Sequence, residues 1–240
     1  MFSLFSLVQW HERVTAEPGP DPTLSWPTDP SVAIGDALTA QRPSAELDAS
    51  APVVPSVRIT AMGCGGTRYG SGVVIGSDRV LTARHVVEGA ERIIVETEEG
   101  RRRVARTVLV DREGRDAAAV SVPGIGDASE RRIQVTTVEP EYGQSVAITG
   151  HPDGGHLHID YTSVMNYTVR APLAANGTRV MIVDEGFAEG MSGGPVIDRD
   201  GRVVGIAIGI ELNSNVGIVT PTSGLGRLLA GDGDELGQAC

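Results

Sequence analysis

Short β-rich runs recur from about residue 52 onward, and they constrain the fold more than any other feature of the sequence. The runs lie at 72–75, 79–82, 92–96, 104–110, 117–122, 145–149, 179–183, 195–198, 203–210 and 216–220. Each is about as long as a strand, and Gly, Asp or Asn usually bounds it. Many short strands between turns, with few helical patterns, are typical of a sandwich or barrel. The sequence therefore predicts an all-β domain.

The composition divides the chain into three parts. Residues 11–51 are rich in Pro, Asp, Ser, Thr and Ala, which predicts an irregular leader over residues 1–51, with a regulatory pro-segment as the alternative. Residues 52–230 are expected to form the compact domain, which ends in a short C-terminal helix at 223–230. Residues 231–240 are acidic and Gly-rich, and we expect them to form a loose tail.

The charge and the apolar content exclude several classes of partner. The formal net charge of −11 argues against nucleic acid or an anionic membrane surface, because both need clustered positive charge. No run of about 18 apolar residues occurs, so no membrane-spanning helix is expected. The stretch MFSLFSLVQW has no basic residue before it and no small-residue cleavage site after it. We therefore expect a cytoplasmic location, with an extracytoplasmic one as the alternative.

Cysteine and histidine offer no firm site. Cys64 and Cys240 are the only cysteines, which excludes a disulfide-dense scaffold and leaves open whether the two pair. His151, His156 and His158 form a cluster in the stretch GHPDGGHLH. A metal site is one interpretation, because imidazole is a common metal ligand. No fourth ligand is evident, so we expect a polar hairpin tip and no metal or other cofactor.

A serine lies within a run of glycines at residues 190–196, which read GMSGGPV. Alone, this stretch is consistent with a structural turn as well as with an exposed nucleophile. Two other stretches favour the nucleophile. In VLTARHV a β-rich run delivers His85 at the start of a turn, and in RDAAAVSV an apolar run starts directly after Asp116. Asp111 is the alternative carboxylate, but no apolar run starts directly after it.

These residue types are the ones that hydrolysis by a serine requires. Free serine is a weak nucleophile at neutral pH, so a base must take the hydroxyl proton. A carboxylate must then hold the tautomer of the base and stabilise its positive form. Backbone N–H groups must face the developing oxyanion. The glycines allow a sharp turn in which the N–H groups of Gly190 and Ser192 converge, and Pro195 sets φ as the next strand begins.

The order His, Asp, Ser, within TARHV, DAAAV and GMSGGPV, resembles the chymotrypsin-like (trypsin-fold) serine peptidases. The sequence is most similar to the bacterial HtrA/Deg-type peptidase domain. SGVVI before the histidine, and GRVVGIAIG and VGIVTP after the serine, match strands of that family. The resemblance covers most of residues 55–230 and none of the leader. It implies two packed six-stranded antiparallel β-barrels, divided near residues 128–133, with a site in the cleft between them.

The resemblance also implies a serine endopeptidase that acts on protein or peptide substrates without a cofactor. Ser192 would be the nucleophile, His85 the general base and then acid, and Asp116 the residue that orients His85. The N–H groups of Gly190 and Ser192 would form the oxyanion hole. A catalytically silent binding module and a regulated protease that needs a partner are the alternatives. An esterase-like acyl hydrolase is disfavoured, because Pro195 opens a strand rather than a helix. The oligomeric state stays open.

Two departures from the family pattern concern activation and specificity. Met191 stands where zymogen-activated members carry an Asp that pairs with a newly cut N-terminal amine, so activation by an inserted N-terminus is not expected.

Gly186 stands where trypsin-like members place an acid, which predicts small or medium apolar side chains at the cleavage site. Glu189 nearby would favour basic residues at the rim. The residues expected to contact the substrate are Gly186, Phe187, Ile206, Ile208 and Gly209, with Ile210 as a further candidate, and the substrate is expected to pair with β structure near 206–209.

Overall fold

A computed structural model of the chain describes residues 56–126, 133–170, 177–185, 187–211 and 214–237. The predicted leader at 1–51, most of the predicted barrel boundary at 128–133, Gly186 and Cys240 lie outside these residues. In the described part of the chain, no helix is long and apolar enough to cross a membrane.

Strands dominate the described residues, as the sequence predicts. In chain order the elements are β1 (Ser56–Gly63), β2 (Gly66–Gly76), β3 (Arg79–Thr82), α1 (Arg84–Val87), β4 (Ala90–Glu96), β5 (Arg102–Val104), β6 (Val108–Val110), β7 (Ala118–Ser121), β8 (Ser145–Gly150), β9 (His158–Arg170), β10 (Thr178–Val183), β11 (Pro195–Asp198), β12 (Val203–Glu211), β13 (Val216–Pro221), α2 (Gly226–Leu229) and β14 (Asp234–Glu235). Short 3₁₀ turns occupy Pro152–Gly154 and Thr222–Gly224. The expected C-terminal helix is thus present as α2.

The strands form two antiparallel units. The second unit is a closed six-stranded barrel in the order β10-β13-β12-β11-β8-β9, and it confirms the barrel expected for the C-terminal half. The first unit is an eight-stranded sheet in the order β14-β6-β7-β3-β2-β1-β4-β5. It stays open rather than closing as a six-stranded barrel, because β5 pairs only with β4 and β14 only with β6 among the described strands.

One predicted strand divides into two. The run 104–110 forms β5 and β6, which lie on different neighbours: β5 pairs with β4, whereas β6 pairs with β7. The backbone changes partner in between, since Ala105 N–H donates to Ile93 O and Arg106 N–H donates to Ser121 O. Continuous β propensity does not reveal a change of partner. The strands β1 and β9 were not among the predicted runs.

The described part of the C-terminal tail is ordered against the first sheet. β14 pairs with β6, and Leu236 N–H donates to Val108 O at 2.8 Å. Arg112 forms ion pairs of 2.9 Å with Asp232 and with Asp234. The expectation of a loose tail is therefore wrong for residues 232–236, because the acidic side chains find an arginine on the neighbouring turn.

The core is aliphatic and consists of two clusters. One fills the first sheet and continues onto barrel residues that include Ile197, Ile206 and Ile208. The other fills the inside of the barrel and includes Ile148, Met191 and others. Burial of each such side chain contributes about 1.5–3 kcal/mol, so both clusters stabilise the fold.

Candidate active site

His85 is presented by a single helical turn that follows β3. Val80 and Leu81 of β3 are fully buried, as is Ala83, which precedes α1. Within α1, Val86 and Val87 are also buried, and they anchor the turn to the core. The side chain of His85 is 43% exposed. The burial of Val86 and Val87, directly after His85, thus directs the imidazole away from the core.

Asp116 holds His85 through two hydrogen bonds. His85 Nδ1 lies 2.6 Å from Asp116 Oδ2, and the His85 backbone N–H donates to Oδ1 at 2.9 Å. A carboxylate only accepts hydrogen bonds, so this geometry assigns the proton to Nδ1 and leaves Nε2 as the basic nitrogen. Asp116 is 12% exposed, and Thr220 Oγ1 of β13 donates to its carbonyl at 3.4 Å.

Asp111, the alternative carboxylate, stabilises a turn instead. It is buried, and its Oδ2 accepts hydrogen bonds of 3.0 Å from the backbone N–H groups of Glu113 and Arg115. Its carboxylate also pairs with the Arg115 guanidinium at 3.4 Å. Of the two carboxylates, Asp116 is the one within hydrogen-bond distance of His85.

The loop that carries Ser192, called here the serine loop (residues 188–194), packs against the first sheet. Gly193 has φ +86, and a β-carbon there would overlap Ser71 O and lie 2.9 Å from Ala83 N. The N–H of Ser71 in β2 donates to Ser192 O at 2.7 Å. The structure therefore brings half-buried Ser192 next to the end of β3, which lies three residues before His85.

Gly190 faces the 3₁₀ turn that follows β8. Its φ is +88, and a β-carbon there would lie 2.5 Å from Asp153 N and 2.7 Å from His151 O. Asp153 N–H donates to Glu189 O at 3.0 Å. The glycines on both sides of the serine are thus required by positive φ and by close backbone contacts.

Four consecutive carbonyl groups of the serine loop, from Glu189 to Ser192, accept hydrogen bonds. Those of Glu189 and Met191 accept from Asp153 N–H and Gly194 N–H, and those of Gly190 and Ser192 accept from the hydroxyl and the N–H of Ser71. Within the described residues, the N–H groups of Gly190 and Ser192 donate no backbone hydrogen bond. A trans peptide points its N–H opposite to its C=O. Anchoring the Glu189 and Met191 carbonyls therefore sets the direction of these two N–H groups.

Met191 is anchored by apolar packing. Its side chain is fully buried in the barrel cluster, together with Ile148 and Val196. A β-carbon on Gly150 would lie 3.0 Å from Met191 Cγ, so the glycine at the end of β8 makes room for the methionine. The residue before the serine is held by the core of the barrel.

The residues predicted to contact substrate fall into different surroundings. Phe187 is buried in the barrel cluster, and a β-carbon on Gly217 would lie 3.1 Å from its ring. Ile206 and Ile208 are buried in the other cluster, on the side of β12 that faces the first sheet. Gly209 has open space at its β-carbon position, and Gly186 lies outside the described residues.

The histidine stretch lies at the connection of the β8–β9 hairpin, as expected, but His151 is buried there rather than exposed. His151 is 1% exposed, with Nδ1 3.1 Å from Gly155 O and Nε2 3.3 Å from Ser56 O. His158 is the first residue of β9, so it does not share a strand with His156. Among the residues that the structure covers, no group of three or more His, Cys, Asp or Glu side chains is arranged to hold a metal ion.

Sequence reasoning missed two residues that contact the serine loop, Ser71 and Asp153. Ser71 lies in the SGVVI stretch, where its only visible signal is a polar residue between glycines at the start of an apolar run. Asp153 has φ 50, a left-handed conformation that Asp tolerates better than most residues. Its neighbours Pro152 and Gly154 signal a turn but not its contact with Glu189.

Comparison with known proteins identifies the family of the chain. The trypsin-like peptidase domain matches residues 70–206, more than half of the chain. Serine protease Rv3671c of Mycobacterium tuberculosis (strain ATCC 25618 / H37Rv) is 29% identical over 177 residues, which cover 69% of this chain and 42% of that protein. Serine protease Do-like HtrA of Bacillus subtilis (strain 168) is 30% identical over 154 residues, which cover 57% of this chain and 32% of that protein. The chain spans less than half the length of these relatives.

Solved structures share the fold. The active form of the Rv3671c protease aligns with a TM-score of 0.67 and 24% identity, over 78% of this chain and 83% of that chain. The HtrA-type protease AlgW with a tripeptide aligns with a TM-score of 0.63 and 22% identity, over 75% of this chain and 60% of that chain. The chain therefore belongs to the trypsin-like peptidase domain family and is homologous to HtrA-type serine proteases.

Proposed function

We propose that this chain is a serine endopeptidase in which Ser192 is the nucleophile, His85 the general base and then acid, and Asp116 the residue that orients His85. The paired hydrogen bonds from His85 to Asp116 carry the proposal. They leave Nε2 as the basic nitrogen on a side chain open to solvent. The hydrogen bond from Ser71 to Ser192 O supports it, because it ties the serine to the sheet that holds His85.

The proposed reaction assigns one step to each of these residues. Ser192 Oγ attacks the carbonyl carbon of the scissile peptide while its proton passes to His85 Nε2. Asp116 stabilises the imidazolium, which then gives the proton to the leaving amine as the C–N bond breaks. Water hydrolyses the acyl-enzyme with His85 again as the base. The product acid leaves, and the Ser192 hydroxyl is restored.

The N–H groups of Gly190 and Ser192 are proposed to stabilise the oxyanion. Both lack a backbone acceptor within the described residues. The anchored carbonyls of Glu189 and Met191 set their direction before substrate binds. Donors oriented in advance cost no reorganisation during the reaction, and such a donor contributes about 2.7–4 kcal/mol of transition-state stabilisation.

The substrate is proposed to bind as an added strand beside β12. The pairing of β12 with β11 ends at Ile206, while β12 continues to Glu211. Residues 208–211 therefore run past β11, and their edge offers backbone groups to an extended peptide. The ring of Phe187 packs against Gly217 and is proposed to limit the depth of the pocket that receives the substrate side chain. A shallow pocket favours small or medium apolar residues at the cleavage site.

Labelling with a fluorophosphonate tests the proposal, with Ser192→Ala as the control and casein cleavage as the second measurement. We expect wild type to be labelled and to cleave casein. The Ser192→Ala variant should show neither labelling nor cleavage. Absence of labelling in the native wild-type protein would contradict the proposal. Labelling without cleavage of any protein or peptide would favour a protease that depends on a partner.

A further inference from the structure

Ser71 connects the first sheet to two segments at the candidate oxyanion site, the serine loop and the turn after β8. It is fully buried in β2. Its Oγ donates to Gly190 O at 2.8 Å and accepts from His151 N–H at 2.9 Å. One hydroxyl thus joins segments that are 119 and 80 residues away along the chain.

The backbone of Ser71 adds two more hydrogen bonds at the same place. Its N–H donates to Ser192 O at 2.7 Å, and its C=O accepts from Thr82 Oγ1 at 2.6 Å. Thr82 is the last residue of β3, and only Ala83 separates it from the turn that carries His85. Ser71 therefore lies where the strand leading to His85, the serine loop and the turn after β8 meet.

The hydroxyl has a task that the surrounding backbone does not perform. Gly190 lacks a β-carbon, so its backbone is freer to rotate than that of a residue with a side chain. Its carbonyl belongs to the peptide that lies between the two N–H groups proposed to bind the oxyanion. A hydroxyl both donates and accepts, so it satisfies the Gly190 carbonyl and the His151 N–H together. An alanine at position 71 would leave both of these groups without this partner.

We propose that Ser71 is a positioning residue for the oxyanion site. Its hydroxyl holds the Gly190 carbonyl against β2, and this keeps the N–H groups of Gly190 and Ser192 in place. Ser71 does not touch the reacting atoms. The inference rests on the proposed protease function, since it assigns Ser71 to the same site.

The test compares Ser71→Ala with Ser56→Ala. Ser56 is a matched control: it is also fully buried in the first sheet, and its Oγ donates to Gly72 O at 3.2 Å rather than to the serine loop. We expect Ser71→Ala to lower kcat and the rate of fluorophosphonate labelling at least about ten-fold, with KM within about two-fold of wild type. Ser56→Ala should keep the wild-type rates. Equal labelling rates in the two variants would overturn the inference.

A conservative variant separates positioning from a general loss of stability. Ser71→Thr keeps a hydroxyl, so it should be labelled at a rate within about three-fold of the wild-type rate. This variant also tests the inference if Ser71→Ala does not fold. A Ser71→Thr variant that folds with the wild-type Tm but is labelled as slowly as Ser71→Ala would count against the inference.

Hydrogen exchange supplies a measurement that does not depend on activity. Amides of the serine loop should exchange at least about ten-fold faster in Ser71→Ala than in Ser56→Ala. Equal exchange in the two variants would refute the role of Ser71. Absence of labelling in wild type would instead contradict the proposed function, and the exchange comparison would still decide the role of Ser71.

Discussion

Met191 lies so close to Gly150 that a β-carbon on the glycine would be 2.9 Å from both Cα and Cβ of the methionine. The methionine side chain fills part of the barrel core at this point. Packing thereby holds the residue before Ser192, where zymogen-activated relatives would use an ion pair. Among the described residues, the folded barrel supplies this anchor of the serine loop.

A charged residue at position 191 should destabilise the protein. Met191→Asp places a carboxylate among apolar side chains, and we expect it to cost more than about 3 kcal/mol of unfolding free energy. Met191→Leu keeps the volume and should cost less than about 1.5 kcal/mol. Urea unfolding measures both. Equal stability of the two variants would show that the anchor is not apolar packing.

A β-carbon at Gly190 should greatly slow fluorophosphonate labelling. Gly190→Ala forces an alanine into φ +88 and against the backbone of Asp153 and His151. We expect the rate of fluorophosphonate labelling to fall at least about 100-fold, as for loss of an oxyanion donor. Gly65→Ala is the control, because nothing lies within 4 Å of its β-carbon position. If Gly190→Ala were labelled as fast as Gly65→Ala, position 190 would not require a glycine.

The two aspartates should differ in what they support. Asp116→Ala removes the hydrogen bonds to His85, so we expect kcat to fall about 10⁴-fold with little change in KM. Asp111→Ala removes the turn contacts with Glu113 and Arg115, and should cost about 1–3 kcal/mol of stability. Steady-state kinetics and thermal unfolding of both variants check this. Comparable kcat in the two variants would mean that Asp116 does not act on His85.

One carboxylate should make stability depend on acid pH. The Arg179 side chain donates to Glu139 and holds the pKa of that carboxyl below its usual 4.5, burial acts in the opposite direction, and Ser223 adds a further hydrogen bond. A lowered pKa in the folded state stabilises the protein above the unfolded pKa, and the contribution disappears as the pH falls through the folded pKa. The effect should stay below about 1 kcal/mol, because Glu139 is 25% exposed and Arg179 54% exposed.

Thermal unfolding of wild type and Glu139→Gln at several pH values measures this contribution. Between about pH 5 and pH 3, wild type should lose more stability than the variant. Added salt should reduce the difference, since both partners of the ion pair are partly exposed. Identical pH dependence in the two proteins would rule out this contribution.

Phe187 should set the size of the side chain accepted at the cleavage site. Phe187→Ala opens the space beside Gly217, so kcat/KM for peptides with a large aromatic residue there should rise at least about ten-fold relative to peptides with alanine. The same kcat/KM ratio in Phe187→Leu should lie between those of wild type and Phe187→Ala. Peptide cleavage profiles of the three proteins measure the change. An unchanged profile in both variants would remove Phe187 from the specificity pocket.

Much of the fold follows from local patterns. The runs at 79–82 and 195–198 match β3 and β11, and most other runs overlap strands of the structure. The division of 104–110 into β5 and β6 was not predictable, because it depends on which neighbouring strand each half joins. The acidic tail was misjudged for the same reason, since its partner Arg112 lies far away in the sequence.

The sequence by itself determined the β-rich class, the stretches that carry His85, Asp116 and Ser192, and the need for glycine around the serine. These are properties of neighbouring residues, and short-range sterics and hydrogen bonding govern them. Only the tertiary structure decided that Ser71 binds Gly190 and that Met191 is buried in the barrel. Both contacts join residues from distant parts of the chain, and no local pattern records which distant groups will meet when the sheet and the barrel pack.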